Sequence, residues 1–149
     1  MAITPNTTFV SGAVLTAAQQ NKFPFGIVAQ GTGSVRSTTT TLFETFMTCT
    51  GTVLANRSVK VTILAQMYGY SGGFNVQLLE GGTNKFSGFS VSLQAGNATP
   101  YMYSFVYTPS SAGSKTWYAQ FQRVGGVNLS MYQDATILNQ LIIEDIGTA

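Results

Sequence analysis

The sequence predicts an all-β domain: an antiparallel β-sandwich of the jelly-roll kind, preceded by an extended N-terminal arm and a short helix. Three observations carry this. Apolar and polar residues alternate in segment after segment, with the period of two expected of a pleated strand. Clusters of Gly, Asn, Ser and Pro punctuate the alternation at about 8 to 12 residue spacing. No long helical pattern interrupts it anywhere in the 149 residues. About eight or nine strands in two sheets suit a jelly roll, while immunoglobulin-like and barrel topologies stay open because a sequence does not order its strands.

In chain order, residues 1–24 read as arm and short helix, and 25–149 as the sandwich domain. The opening twelve residues have little periodicity, with Pro5 and several Thr. Thr16-Ala17-Ala18-Gln19 matches a capping box, in which the Thr hydroxyl accepts a backbone N–H and the Gln side chain answers it. The helix at 17–22 must stop before Pro24, since the residue preceding a proline is pushed out of the helical region. An arm and one short helix cannot pack a core alone. Phe9, Val14, Leu15, Phe23 and Phe25 must therefore dock on the sandwich or on a partner.

A first strand is expected at 25–30 and a second near 42–49, with Asn56 and Arg57 turning into the next. The stretch 57–79 is the centre of the pattern. Val59, Val61, Ile63, Ala65 and Met67 alternate with Lys60, Thr62, Leu64, Gln66 and Tyr68, and after Ser71-Gly72-Gly73 the phase resumes with Phe74, Val76 and Leu78. Glycine supplies the positive φ of a tight reversal, so these two strands read as a hairpin. A strand at 85–94 follows, then Tyr101, Tyr103, Phe105 and Tyr107 as an aromatic stripe on one face of another. Trp117, Ala119, Phe121 and Arg123, closed by Gly125-Gly126 and followed by Val127, Leu129 and Met131, read as a second hairpin. A longer connection leads to the closing strand at 140–146.

Composition narrows the function. Charged residues are only 8%, against about 25% in an average soluble domain, and the polar surface is left to Thr, Ser, Asn and Gln. Such a surface suits exposed β-structure and contact with other protein. The seven Lys and Arg are scattered, so no basic cluster collects phosphates and nucleic acid is not an expected partner. No stretch of about 20 apolar residues is present to span a bilayer as a helix, and the N-terminus lacks the basic and apolar regions of a signal peptide. Synthesis in a cytoplasm is expected, with lysis as the way out.

Chemistry finds little foothold. With one cysteine and no histidine, an intrachain disulfide and a Cys/His zinc site are excluded, and Cys49 reads as a small buried hydrophobe. The usual general base is missing, and the adjacent Glu144 and Asp145 point to opposite faces of a strand. The acids read as solvated turn or edge charges, so no catalytic residues, no metal and no cofactor are expected. The three Gly-Gly pairs read as hairpin turns, since no helix follows them to hold a phosphate. Two readings of the aromatics stay open. Tyr101, Tyr103, Tyr107, Trp117 and Tyr118 form core or subunit interface, or they line a groove in which aromatic faces stack on sugars.

Two stretches resemble a known group. FVSGAVLTAAQQNKFPFGIVA at 9–29 and NQLIIEDIG at 139–147 resemble the opening and the closing strand of small tailed-bacteriophage virion proteins with a β-rich domain. The resemblance implies a structural role on the virion as a capsid decoration or cement protein, a head fibre, or a tail component. It also implies a homo-oligomer, a trimer by preference. The leading expectation is a decoration protein that binds the major capsid protein through Phe9, Val14, Leu15, Phe23 and Phe25 and stabilises the shell. The alternative is a tail or head fibre module that recognises a host surface glycan through Trp117, Tyr118 and the tyrosines of the stripe.

Overall fold

The computed structural model describes residues 23–34, 36–69, 72–88, 91–93, 96–126, 128–132 and 139–148. The predicted arm and the helix at 17–22 lie outside the described residues. Regular structure among them is entirely strand: β1 (Gly26–Thr32), β2 (Arg36–Thr38), β3 (Glu44–Val53), β4 (Arg57–Gly69), β5 (Gly72–Glu80), β6 (Thr83–Ser87), β7 (Val91–Leu93), β8 (Ala98–Tyr107), β9 (Gly113–Val124), β10 (Leu129–Tyr132) and β11 (Gln140–Thr148).

β4 is the centre of the first sheet, as its long alternation predicts. Its one edge is shared by β11 over residues 57–64 and β10 over residues 66–69, and its other edge pairs with β8. β1 lies outside β11, and β2 outside β10. In the second sheet β9 sits between β3 and β5, whose far edge carries β6 and β7. With the short β2 and β10 set aside, the sheet orders are β1-β11-β4-β8 and β3-β9-β5-β6. That is the strand order of a jelly roll, the fold expected.

Two expected hairpins are corrected. β4 and β5 lie in different sheets, and so do β9 and β10. A strand in a sandwich alternates identically whether its successor pairs with it or crosses to the opposite sheet, so a Gly-Gly signal marks a reversal without saying which kind. The crossings also pack on each other. Gly72 has φ +120, and a Cβ there would lie 2.8 Å from the carbonyl carbon of Gly125. Gly81-Gly82 is a true hairpin: Glu80 pairs with Thr83, and φ values of +54 and +86 meet the need of a type I′ turn for positive φ at both central residues. Two further boundaries move. The strand expected at 42–49 runs from Glu44 to Val53 with a bulge between Thr45 and Met47, and the one expected at 85–94 is divided into β6 and β7.

The faces follow the alternation. Val61, Ile63, Phe74, Val76, Trp117, Phe121, Leu141 and Ile143 are fully buried between the sheets, each adding roughly 1.5–3 kcal/mol of apolar burial. The sandwich is narrow on one side and wide on the other. On the narrow side β1 meets β3 through glycines: a Cβ at Gly31 would stand 2.1 Å from the Thr48 carbonyl oxygen, and one at Gly51 would stand 2.3 Å from that of Val28. On the wide side rings fill the gap between β8 and β6, with Phe86 stacked on Tyr103 at 4.3 Å and on Phe105 at 5.0 Å between centroids.

Candidate functional site

Residues 23–25 are held against the sandwich by a buried ion pair. Arg57 opens β4 in phase with Val59, and Asp145 lies in β11 in phase with Leu141 and Ile143, so both side chains turn inward. Arg57 Nε donates to Asp145 Oδ2 and Nη2 donates to Oδ1, both at 2.6 Å. This two-point geometry matches a guanidinium to a carboxylate. The pair also holds the chain that leads into β1. Arg57 Nη2 donates to the Phe23 carbonyl at 2.5 Å, the Phe25 N–H donates to Asp145 Oδ1 at 3.3 Å, and the guanidinium sits 3.9 Å above the Phe25 ring. Hydrogen bonding from Arg57 keeps the Asp145 carboxyl below the usual carboxylate range against the opposing effect of burial, helped by the backbone N–H groups of Gly147 and Phe25.

Phe23 and Phe25 are therefore held at the backbone while remaining partly exposed, Phe25 with one ring face against Arg57. They are 47% and 53% exposed, and Ile27 beyond them is 58% exposed. Phe9, Val14 and Leu15, the other residues expected to attach, lie outside the described residues. Sequence reasoning missed Arg57 and Asp145. The signal was there: a charge in the inward phase of a strand must be buried and paired. It also corrects the reading of the acids as solvated, since Asp145 is 3% exposed and Glu80 is 7% exposed.

The aromatic candidates separate into two groups. Tyr101, Tyr103 and Tyr107 face the interior from β8, and Trp117 meets Tyr107 from β9. Tyr101 is T-shaped on Phe74 at 5.2 Å. Trp117 is fully buried, and its Nε1–H donates to the Tyr107 hydroxyl at 2.6 Å. Tyr107 in turn donates to Glu80, which Lys115 approaches at 3.6 Å. Burial first, and the bond to Glu80 second, push the Tyr107 hydroxyl above its ordinary value. Trp117 offers no ring face to a sugar. It anchors the wide side of the core instead.

Tyr118 points the other way, to the outer face of the second sheet, half-buried between Thr48 of β3 and Leu79 of β5. On one side of it runs a ladder of amides. Gln120 Nε2 donates to Thr45 Oγ1 at 2.9 Å, Gln77 Nε2 to Gln120 Oε1 at 2.6 Å, and Asn75 Nδ2 to Gln122 Oε1 at 2.9 Å. Among the described residues no group of three His, Cys, Asp or Glu side chains is placed to hold a metal ion, and no helix is long and apolar enough to cross a membrane.

No protein-family model matches the chain, and neither does any curated protein. Among solved structures, a chain of the infectious bursal disease virus Gt strain is similar over 82% of this chain and 38% of its own, at 13% identity and TM-score 0.47. The dimeric latent PorU of Porphyromonas gingivalis is similar over 86% of this chain and 13% of its own, at 11% identity and TM-score 0.43. The CBM22-1 xylan-binding domain of Paenibacillus barcinonensis Xyn10C is similar over 82% of this chain and 88% of its own, at 10% identity and TM-score 0.40. The chain thus spans well under half the length of the first two.

Proposed function

We propose that this protein is a structural protein of a tailed-bacteriophage virion, a capsid decoration or cement protein that works by binding and not by catalysis. It docks as a trimer on the major capsid protein, after synthesis in the host cytoplasm, through its N-terminal segment. The observation that supports this most is the anchored pair Phe23 and Phe25, which stay about half exposed while the Arg57–Asp145 ion pair fixes their backbone. Aromatic side chains on a pre-ordered backbone bury apolar area on a partner at low entropic cost. The small number of charges in the chain suits attachment by apolar burial. Shell stabilisation then follows from mass action, because a ligand that binds only the assembled shell favours it by the logarithm of concentration over dissociation constant.

The test is co-sedimentation of the full chain with phage particles stripped of it, together with cryo-electron microscopy of the intact virion. Wild-type protein should pellet with particles and give density at regular positions over the shell. The double variant Phe23→Ser, Phe25→Ser should stay in the supernatant. Unchanged pelleting of a folded double variant, or density confined to the tail or a fibre tip, overturns the reading in favour of a fibre module.

A further inference from the structure

We propose that the outer face of the second sheet is a binding site for an uncharged glycan, laid across β3, β9 and β5 with one sugar ring on Tyr118 and hydroxyls on the amides of Gln77, Gln120 and Gln122. The inference does not depend on where on a particle the protein sits. It concerns a face other than the one that carries Phe23 and Phe25.

Outward positions of the three strands carry threonines on β3, Tyr118 and glutamines on β9, and Asn75, Gln77 and Leu79 on β5, with no ionised side chain in their midst. The outer face of the first sheet differs, since Lys60 and Glu144 form a 3.2 Å pair there. A face built only to stay wet normally mixes Lys, Arg, Glu and Asp. One built of amides and hydroxyls matches a ligand that is polar and neutral, and it offers no cation to a sulfate, phosphate or uronate.

A glutamine amide has two N–H donors and a carbonyl with two lone pairs. The ladder engages one Nε2 donor and one carbonyl acceptance on each of Gln77 and Gln120. Their side chains are thus oriented before any ligand arrives, with hydrogen-bonding capacity beyond the ladder, and little rotamer entropy is lost on binding. Tyr118 lies in register with Thr48 and Leu79, so a small side chain and an apolar one stand beside it on the face, and its ring is the aromatic surface we assign to a sugar C–H face. From β3 to β5 the face spans two strand spacings, about 10 Å, room for a short oligosaccharide.

The experiment is affinity electrophoresis of the full chain through gels holding neutral polysaccharides (β-glucan, xylan, galactomannan, dextran) and, separately, chondroitin sulfate. Wild type should be retarded by at least one neutral polymer, independently of salt. Tyr118→Ala should weaken retardation by about tenfold, as the loss of one stacked ring implies, and Tyr118→Phe should keep most of it. Gln77→Ala with Gln120→Ala should weaken it as well, with thermal melting confirming that each variant folds. No retardation by any neutral polymer, a preference for chondroitin sulfate, or retardation indifferent to Tyr118→Ala overturns the proposal. Self-association in sedimentation velocity that Tyr118→Ala abolishes also overturns it, by making the face a contact between copies. Particle binding depends on Phe23 and Phe25, so either reading can fail without the other.

Discussion

Arg57 and Asp145, 88 positions apart in the chain, meet in a two-point ion pair with both side chains at most 4% exposed. The first residue of the central strand thereby holds the last strand, and both hold the backbone of Phe23 and Phe25. A buried pair of this kind is costly to break from one side, because the surviving charge is left without a partner.

Asp145→Asn and Arg57→Met should each lower stability to urea by about 3–5 kcal/mol. The double variant Arg57→Met, Asp145→Leu should recover much of that loss, since neither charge is then buried alone. Equilibrium unfolding followed by tryptophan fluorescence checks both. A double variant as unstable as the sum of the singles would show that the contacts to Phe23 and Phe25, and not the ion pair itself, carry the stability.

Dependence on pH should be flat in the middle and steep at the ends. With no histidine, no side chain ordinarily titrates between about pH 5 and 8. Asp145 is depressed by Arg57. Its contribution is therefore full above the unfolded carboxyl value of about 3.9 and is lost as pH falls through the lower folded value. At the alkaline end burial raises Tyr101 to about 12 and Cys49 to about 12. Their contributions are full below the unfolded values of about 10 and 8.5 and are lost as pH rises toward the folded ones. Urea midpoints measured across pH 2 to 12 should show this plateau, and a slope between pH 5 and 8 would contradict it.

Gly31→Ala should destabilise far more than Gly81→Ala, for a different reason. At Gly31 the added Cβ would stand 2.1 Å from the Thr48 carbonyl oxygen, and backbone must move. Gly81 has open space and only a left-handed φ of +54 to lose, a cost of roughly 1–2 kcal/mol. Thermal melting of the two variants separates the effects. Equal losses would mean that β1 and β3 can part without harm.

Tyr107→Phe removes the acceptor of the Trp117 indole and the donor to Glu80 together. It should cost about 1–3 kcal/mol for each polar group left buried and unsatisfied, although the ring and its packing stay. Trp117→Phe should cost more through lost volume. A neutral Tyr107→Phe in denaturant melts would show that water takes over both bonds.

By itself the sequence determined which side of β4, β5 and β9 is apolar, and hence that the chain is a β-sandwich with the alternate residues from Val59 to Met67 and from Phe74 to Leu78 inside; β3, with its bulge between Thr45 and Met47, had no such clean alternation. Period-two alternation is a local property that any two-sheet fold must obey, so it survives in the sequence. Phe23 and Phe25 were legible as apolar residues in need of cover, and Tyr118 as an aromatic on a strand. Which sheet each strand joins was decided only in three dimensions, because Gly72-Gly73, Gly81-Gly82 and Gly125-Gly126 provide the same backbone freedom to two crossings and one hairpin. The tertiary structure likewise sent Trp117 inward to Tyr107 and Tyr118 outward among the amides, and brought Arg57 to Asp145. Those partners are set by the register of strands far apart in sequence, which no local pattern encodes.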